Sequence, residues 1–212
     1  MRTSQRFLKR AFDIAFSIMG LLLIGWLIII CWLIASADTG KNGFFIQKRV
    51  GKHGKLFSVM KIRTMREVKD FDTTITVARD PRISFIGAIF RKFKLDELPQ
   101  LFNVLVGKMS FVGPRPDVAG YADVLEGPDR LLLDISPGIT GPASFYFRNE
   151  ENLLAQQEDP IHYNDTILWP QKVKINLDYI HEYTFWYDIQ LILATVSPLF
   201  REKLESKISK IL

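Results

Sequence analysis

Residues 14–35 read IAFSIMGLLLIGWLIIICWLIA, with no charged side chain and only Ser17, Gly20 and Gly25 breaking the apolar composition. A helix over these roughly 22 residues, at ~1.5 Å rise each, is about 33 Å long, which matches a hydrocarbon core of ~30 Å. Such a segment has to be placed in lipid or covered along its length, so it constrains everything around it. Both flanks are basic: Arg2, Arg6, Lys9 and Arg10 precede it, and Lys41, Lys48, Arg49, Lys52 and Lys55 follow. The net charge of +5 hides this asymmetry, because residues 1–70 carry 13 Lys/Arg against 4 Asp/Glu and the remainder carries 15 against 19. Excess positive charge around an apolar run is expected of a protein held against an anionic leaflet. No basic stripe with interleaved aromatics accompanies it, so nucleic acid is not expected as a partner.

Three placements of the segment compete. A cleaved signal would explain the basic start and Ala35-Ser36-Ala37, but the run exceeds the roughly 7–15 residues of a signal core. A spanning helix fits by length, yet it puts two basic flanks on opposite sides of the membrane. A re-entrant hairpin keeps both flanks on one side. It requires a bend, which Gly25 eases, and partners for the backbone groups the bend frees. On these grounds span and re-entry both stay open.

The rest of the chain reads as a compact α+β body. FFIQKRV (44–50) and KLFSVMKIRTM (55–65) alternate as two strands around Gly51-Lys52-His53-Gly54, a hairpin. Residues 66–80 are polar and read as a loop, and Asp80-Pro81-Arg82 as a turn. Beyond it Ile83, Ile86, Phe90 and Phe93 share a helical face, turned either to the core or to a membrane surface. Residues 95–106 form the next helix, with Leu98, Leu101, Phe102 and Leu105 at i, i+3, i+4, i+7 spacing. Pro99 suits its first turn, which places Asp96 and Glu97 at or near the start, where the helix dipole favours ionised carboxylates. Residues 110–148 are rich in ordered Pro/Gly turns. The final third is helical, with Ile175, Tyr179 and Tyr183 on one face and an apolar helix over 188–196 ending at Ser197-Pro198. The aromatic cluster Tyr179, Tyr183, Phe185, Trp186, Tyr187 suits an interface or a core equally. Cys31 is the only cysteine and His53, His162 and His181 are scattered, so neither a disulfide framework nor a zinc motif is present.

The stretch that carries chemistry is KLDELPQLFNVLVGKMSFVGPRP, Lys94–Pro116. Asp96 and Glu97 are a carboxylate pair ahead of an amphipathic helix, and Arg115 is framed by Pro114 and Pro116. An arginine offers a phosphate a bidentate fork. Carboxylates and phosphate together suit a hard Mg²⁺ ion, and a carboxylate nucleophile splits a phosphoryl transfer into two steps. Each feature alone is ordinary on a solvated surface; the combination points to phosphoryl transfer.

The pieces KRAFDI (9–14), FFIQKRVGKHGKLFSVMKIRTM (44–65), DPRI (80–83), LDELPQLFNVLVGKMSFVGPRP (95–116), SPGITG (136–141) and LDYI (177–180) together resemble the monotopic phosphoglycosyl transferases. This is the small, single-domain type of the bacterial sugar transferase family, and the similarity runs from about Lys9 to Thr195. The resemblance implies transfer of a sugar-1-phosphate from a UDP-sugar to a polyprenol (undecaprenyl) phosphate with release of UMP, the first membrane step of surface glycan assembly. It implies Asp96 as nucleophile, Glu97 as its assistant with a proton or the metal, and Mg²⁺ bridging the pair and the diphosphate. It also implies phosphate contact by Arg115, with Pro114 and Pro116 holding it. Lys61, Arg63 and Thr64 match a motif near the active site, Lys61 and Arg63 being expected at phosphate or membrane headgroups. Arg82 and Arg148 are further phosphate or nucleotide candidates, and Asp178 matches a position that supports the site or forms a structural ion pair.

The expected partition is a basic flank and re-entrant membrane helix (1–37), a cytoplasmic catalytic domain (38–187) with a small hairpin and amphipathic interface helices, and a C-terminal interface helix and tail (188–212). The expected place is the bacterial inner membrane, cytoplasmic face, with membrane lipids as partners and a homodimer left open. A catalytically silent tethered scaffold of the same fold is the alternative; a glycosyltransferase forming a glycosidic bond would release UDP instead of UMP. Two departures from the family pattern matter. Gly25-Trp26 stands where a helix-breaking Ser-Pro pair is common, and Pro142-Ala143-Ser144 follows PGITG where Trp-Ala-Gln is common, so the sugar does not carry over.

Overall fold

The computed structural model describes residues 2–67 and 80–212. Most of the polar stretch assigned to a loop, 66–80, lies outside the described residues.

The apolar run belongs to one helix, α1 (Thr3–Thr39), which passes through Gly25 without a break and ends on Gly40 in the left-handed conformation. At ~1.5 Å per residue it is roughly 55 Å long. The expected bend near Gly25 is therefore not present as an interruption. A stripe of Lys9, Asp13, Ser17, Ile28, Cys31 and Ala35 is buried along the helix, while Leu22, Leu23, Trp26, Ile29 and Leu33 face outward, 55–80% exposed. By length and composition the helix is long and apolar enough to cross a membrane. The buried stripe lies against the rest of the protein at both ends of the helix. Ile28, Cys31 and Ala35 pack with Ile62 and Phe90, and the Gly43 amide donates to Ser36 Oγ. Toward the other end Asp13 Oδ1 accepts from Ser110 Oγ and the Phe111 amide. Lys9 Nζ donates to Asp188 Oδ2 at 2.6 Å and to the Val112 carbonyl at 2.7 Å. The hairpin was expected to keep both basic flanks on one side of the membrane; the segment is instead one uninterrupted helix whose two ends both contact the rest of the protein.

The expected hairpin forms as β1 (Phe44–Val50) and β2 (Leu56–Ile62), antiparallel from Phe44↔Ile62 to Val50↔Leu56. His53 takes a positive φ of 59° in the connection. α2 (Phe85–Lys92) starts on Ser84, whose Oγ accepts from the Gly87 amide. It turns Phe90 inward and leaves Phe85 and Phe93 exposed, so Phe93 falls off the face assigned to it. The helix expected over 95–106 is shorter: a 3-10 turn over Leu95–Glu97 precedes α3 (Gln100–Leu105). Pro99 lacks an N–H and so donates no hydrogen bond that would join the two pieces. β3 (Ser110–Val112) and β4 (Gly138–Thr140) form a parallel pair.

α4 (Pro142–Tyr146), α5 (Glu150–Leu154), α6 (Pro160–Tyr163), α7 (Trp169–His181), α8 (Phe185–Val196) and α9 (Arg201–Ser209) complete the chain. The main core joins Val112 and Phe145 to Ile175 and Tyr179 of α7, Tyr187 and Leu191 of α8, and Leu204 and Ile208 of α9. The stretch 188–212 thus packs into the body while leaving Val196 and Leu199 exposed. The aromatic cluster divides in the same way. Tyr179 and Tyr187 are core, Phe185 packs edge-on against Phe12 of α1, and Trp186 faces out. The whole is mixed helix and small sheet, as expected of an α+β body carrying a long apolar helix.

Candidate active site

The carboxylate pair follows an irregular point in the backbone. Lys94 adopts a left-handed conformation (φ 56°), uncommon for a residue with a side chain, and the 3-10 turn of Leu95–Glu97 follows directly. The α3 segment behind the pair is clamped at its far end, where the Arg10 guanidinium donates to the carbonyls of Val104 and Leu105 at 2.7 Å each. A cation there satisfies carbonyls that a helix end leaves open.

Arg115 arrives from β3. The chain after Val112 is gripped by the SPGITG segment: the Gly113 amide donates to Thr140 O and the Gly138 amide to Pro114 O. The two backbones are nearly in contact. A Cβ on Gly138 would meet the Gly113 amide nitrogen at 2.2 Å, and one on Gly141 would meet the Gly113 carbonyl oxygen at 2.0 Å. That is the physical reason for glycine at both positions. On the other side the Val50 amide donates to Asp117 O at 2.8 Å. Pro114 and Pro116 fix φ on either side of Arg115, so its backbone is held by β1, β4 and its own prolines.

These segments bring four predicted residues together. Glu97 Oε1 accepts from Arg115 Nη2 at 2.9 Å and from Lys61 Nζ at 3.4 Å. Asp96, next to it, is 6% exposed, and its Oδ1 is buried without a hydrogen-bond partner. The electrostatics separate the two carboxylates. Burial and the adjacent Glu97 push Asp96 up, against the pull of Lys61. Burial also raises Glu97, but Arg115, Lys61 and Lys94 outweigh it and hold its carboxyl well below the usual range. The expectation that a helix dipole favours both ionised forms is corrected for Asp96: α3 is six residues long, and burial beside a like charge is the stronger effect. Lys61 is lowered to about 8 by burial and by Arg115, with Glu97 and Asp96 opposing.

The other predicted residues go elsewhere. Arg63 donates to the carbonyls of Asn42 (2.8 Å) and Phe44 (3.4 Å) and lies over the Phe45 ring, at the end of the hairpin nearest the exit of α1. Thr64 is buried, and its carbonyl accepts from the Ser84 amide, so its backbone seats the start of α2. Arg82 is bound by Asp80 through Nε–Oδ1 (3.0 Å) and Nη2–Oδ2 (2.7 Å). Arg148 pairs with Glu205 of α9 at 2.6 Å. Neither is brought to the Glu97 cluster, because each guanidinium has a carboxylate of its own. No three metal-ligating side chains assemble among the described residues. The neighbouring Asp96 and Glu97, one with an open buried oxygen, nevertheless suit Mg²⁺, which takes one or two carboxylates and fills its remaining positions with water and phosphate oxygens.

Three residues near Arg115 were not singled out by sequence. Arg49 of β1 reaches the carbonyl of Pro116, the residue after Arg115, at 3.5 Å; Asp117 is pushed up to about 6 by burial, against Lys172, Arg49 and Arg115; and Lys172 pairs with Glu150 at 2.7 Å. The signal that was available for Arg49 is its place two residues after Gln47 on a strand face that also carries Lys61.

A sequence profile of the bacterial sugar transferase family matches residues 4–202. The chain is 36% identical over 207 residues to the UDP-glucose:undecaprenyl-phosphate glucose-1-phosphate transferase of Escherichia coli (strain K12), covering 93% of this chain and 41% of that protein. It is 34% identical over 216 residues to the undecaprenyl-phosphate galactose phosphotransferase of Salmonella typhimurium, covering 94% and 42%. It is 32% identical over 189 residues to the uncharacterized sugar transferase EpsL of Bacillus subtilis, covering 89% and 85%. The chain therefore spans about two fifths of the first two relatives and most of the third. With the profile matched over nearly all of its length, this chain belongs to the bacterial sugar transferase family.

Proposed function

We propose that this protein transfers a sugar-1-phosphate from a UDP-sugar to undecaprenyl phosphate through a covalent intermediate on Asp96. The observation that carries the reading is the junction of Lys61, Arg115 and Glu97 beside an Asp96 whose Oδ1 is buried and unpartnered. A carboxylate oxygen with no hydrogen bond loses none when it attacks, and its raised pKa makes it the more basic of the two. In the first step the Asp96 oxygen bonds to the phosphorus bearing the sugar, and the diphosphate P–O bond breaks so that UMP leaves with the bridging oxygen. In the second a phosphate oxygen of undecaprenyl phosphate attacks the same phosphorus, breaking the acyl-phosphate bond and restoring Asp96. Arg115 and Lys61 offset the charge on the phosphoryl oxygens. Asp96 and Glu97 would hold a Mg²⁺ ion, which when bound supplies further neutralisation of the diphosphate. The relatives named above for undecaprenyl-phosphate chemistry support this reading.

The site belongs at the cytoplasmic face of the inner membrane, where a soluble nucleotide sugar meets a lipid-bound acceptor. The contacts of α1 extend from Lys9 to Ala35, a run of roughly 40 Å. A helix crossing the bilayer would draw Lys9, Arg10 and the buried Asp188 across with it, against a steep cost for charge in lipid. We therefore read α1 as sinking its outer face into lipid with both ends on the cytoplasmic side. We read Arg63, which sits at the exit of α1, as meeting headgroups there.

The test is a panel of UDP-sugars incubated with purified protein, Mg²⁺ and undecaprenyl phosphate. At least one donor should release UMP, and Asp96→Asn should abolish both that release and any label retained on the protein from a radiolabelled donor. Turnover by Asp96→Asn at the wild-type rate would refute the covalent route, and release of UDP would indicate glycosidic-bond formation.

A further inference from the structure

We propose that Arg49 is a second phosphate-gripping side chain of this site, and that Arg49 and Arg115 together take the two phosphates of a nucleoside diphosphate. The proposal rests on the reading above and deepens it. The hairpin register sets Phe45, Gln47 and Arg49 opposite Lys61, Val59 and Phe57, so Arg49 and Lys61 project from one face of the sheet. The guanidinium of Arg49 is held by neutral acceptors: Nε and Nη2 donate to Gln47 Oε1 at 3.0 and 2.6 Å, and Nη1 reaches Pro116 O at 3.5 Å. Pro116 is the residue after Arg115, and the Val50 amide bonds the next carbonyl, Asp117 O. The side chain is thus fixed in orientation beside Arg115.

Its charge is not neutralised by contact. Among the described residues no carboxylate oxygen lies within 4.0 Å of Arg49. Lys61 and Arg115 share a single carboxylate oxygen, Glu97 Oε1. Two cations therefore share one carboxylate oxygen, and a third, Arg49, has no contacting carboxylate, with Asp117 near it but beyond ion-pair distance. Like charges packed together are unfavourable, and the arrangement is relieved by an anion that bridges them. Arg115 is paired with Glu97 while Arg49 has no ion pair, so the two forks offer one guanidinium each to two linked phosphates. A guanidinium already anchored by Gln47 also loses less freedom on binding than a free one.

The test measures inorganic phosphate and inorganic pyrophosphate binding to the full-length protein in detergent, by calorimetry at fixed Mg²⁺ and ionic strength. The wild type is expected to prefer pyrophosphate by about tenfold or more, the scale of one added charge-assisted contact. Arg49→Gln should remove most of that preference with little change in phosphate affinity, and Arg49→Lys should retain part of it. A wild type without the preference, or an Arg49→Gln protein that keeps it, overturns the proposal. Should Arg49→Gln fail to fold, Gln47→Leu decides: it leaves the charge but removes the anchor, and an unchanged preference again overturns the proposal. A preference that depends on Arg49, in a protein releasing UMP from no donor, would leave the diphosphate site standing and refute the proposed transfer.

Discussion

The pair Lys9–Asp188 joins the start of the apolar helix to α8, and its loss should be felt throughout the molecule. The two side chains are 11% and 4% exposed and 2.6 Å apart. Asp188 also accepts from Tyr179 Oη at 2.6 Å and Tyr183 Oη at 2.9 Å, while Lys9 also satisfies the Val112 carbonyl. Breaking a buried pair by removing one partner costs about 3–5 kcal/mol, because the remaining charge stays desolvated. Here the two tyrosine hydroxyls still solvate Asp188, so Lys9→Met should fall near the lower bound, about 3 kcal/mol. With a urea m-value of about 2 kcal/mol/M, the unfolding midpoint in detergent micelles, read by tryptophan fluorescence, should drop by roughly 1.5 M. Arg6→Met, on the exposed side of the same helix, should stay within about 0.5 kcal/mol of wild type. Replacing a buried ion pair by apolar residues is often neutral. In this protein Lys9→Met/Asp188→Leu should remain destabilised, because it strips the acceptor from two tyrosine hydroxyls, and adding Tyr179→Phe and Tyr183→Phe should recover part of the loss. A Lys9→Met midpoint indistinguishable from that of Arg6→Met would refute the reasoning and show that the Lys9–Asp188 pair contributes nothing to holding α1.

Three further outcomes follow from the site. Asp117 has a folded-state pKa of about 6 against about 3.9 unfolded, so the folded protein binds more protons between those values and wild-type stability falls as pH rises through that window. Asp117→Asn removes this dependence; relative to wild type it should gain on the order of 2 kcal/mol between pH 4 and 7 in parallel denaturation curves, and a constant difference would contradict the assignment. Gly138→Ala drives a methyl group into the Gly113 amide and should cost about 3 kcal/mol or more, lowering the melting temperature by roughly 6–12 °C; a shift below 2 °C would mean that the SPGITG contact is slack. Glu97→Gln removes the anion shared by Arg115 and Lys61, so turnover should fall by about 100-fold or more while pyrophosphate affinity without Mg²⁺ rises severalfold. Loss of both would indicate a collapsed cluster.

The hairpin was legible because its signals are local: two alternating runs around a Gly-bounded turn fix both strands and their register. The carboxylate pair and the proline-framed arginine were legible as a motif, and the structure joins them through Glu97. The irregular entry into α3 was not. Apolar spacing over 95–106 suggests one helix, and neither the left-handed Lys94 nor the 3-10 turn has a sequence signature. The fates of Arg82 and Arg148 were hidden differently. Arg82 has Asp80 two residues away, but Arg148 meets Glu205 across 57 positions, a contact that only packing of α9 creates.

The sequence by itself determined that a long apolar helix with basic flanks would accompany a small α+β body, and it singled out Asp96, Glu97 and Arg115 as the candidate site. Periodicity, charge and short-range motifs carry that information in consecutive residues. Only the tertiary structure decided how the helix is used, because its buried stripe is completed by Asp188, Val112, Ser110 and Phe90, which lie tens to almost two hundred positions away. Only the tertiary structure, likewise, set the two carboxylates apart. Asp96 and Glu97 are adjacent in sequence, yet one is buried with an open oxygen and the other is pinned between two cations. Burial and long-range charge, not spacing, made that difference.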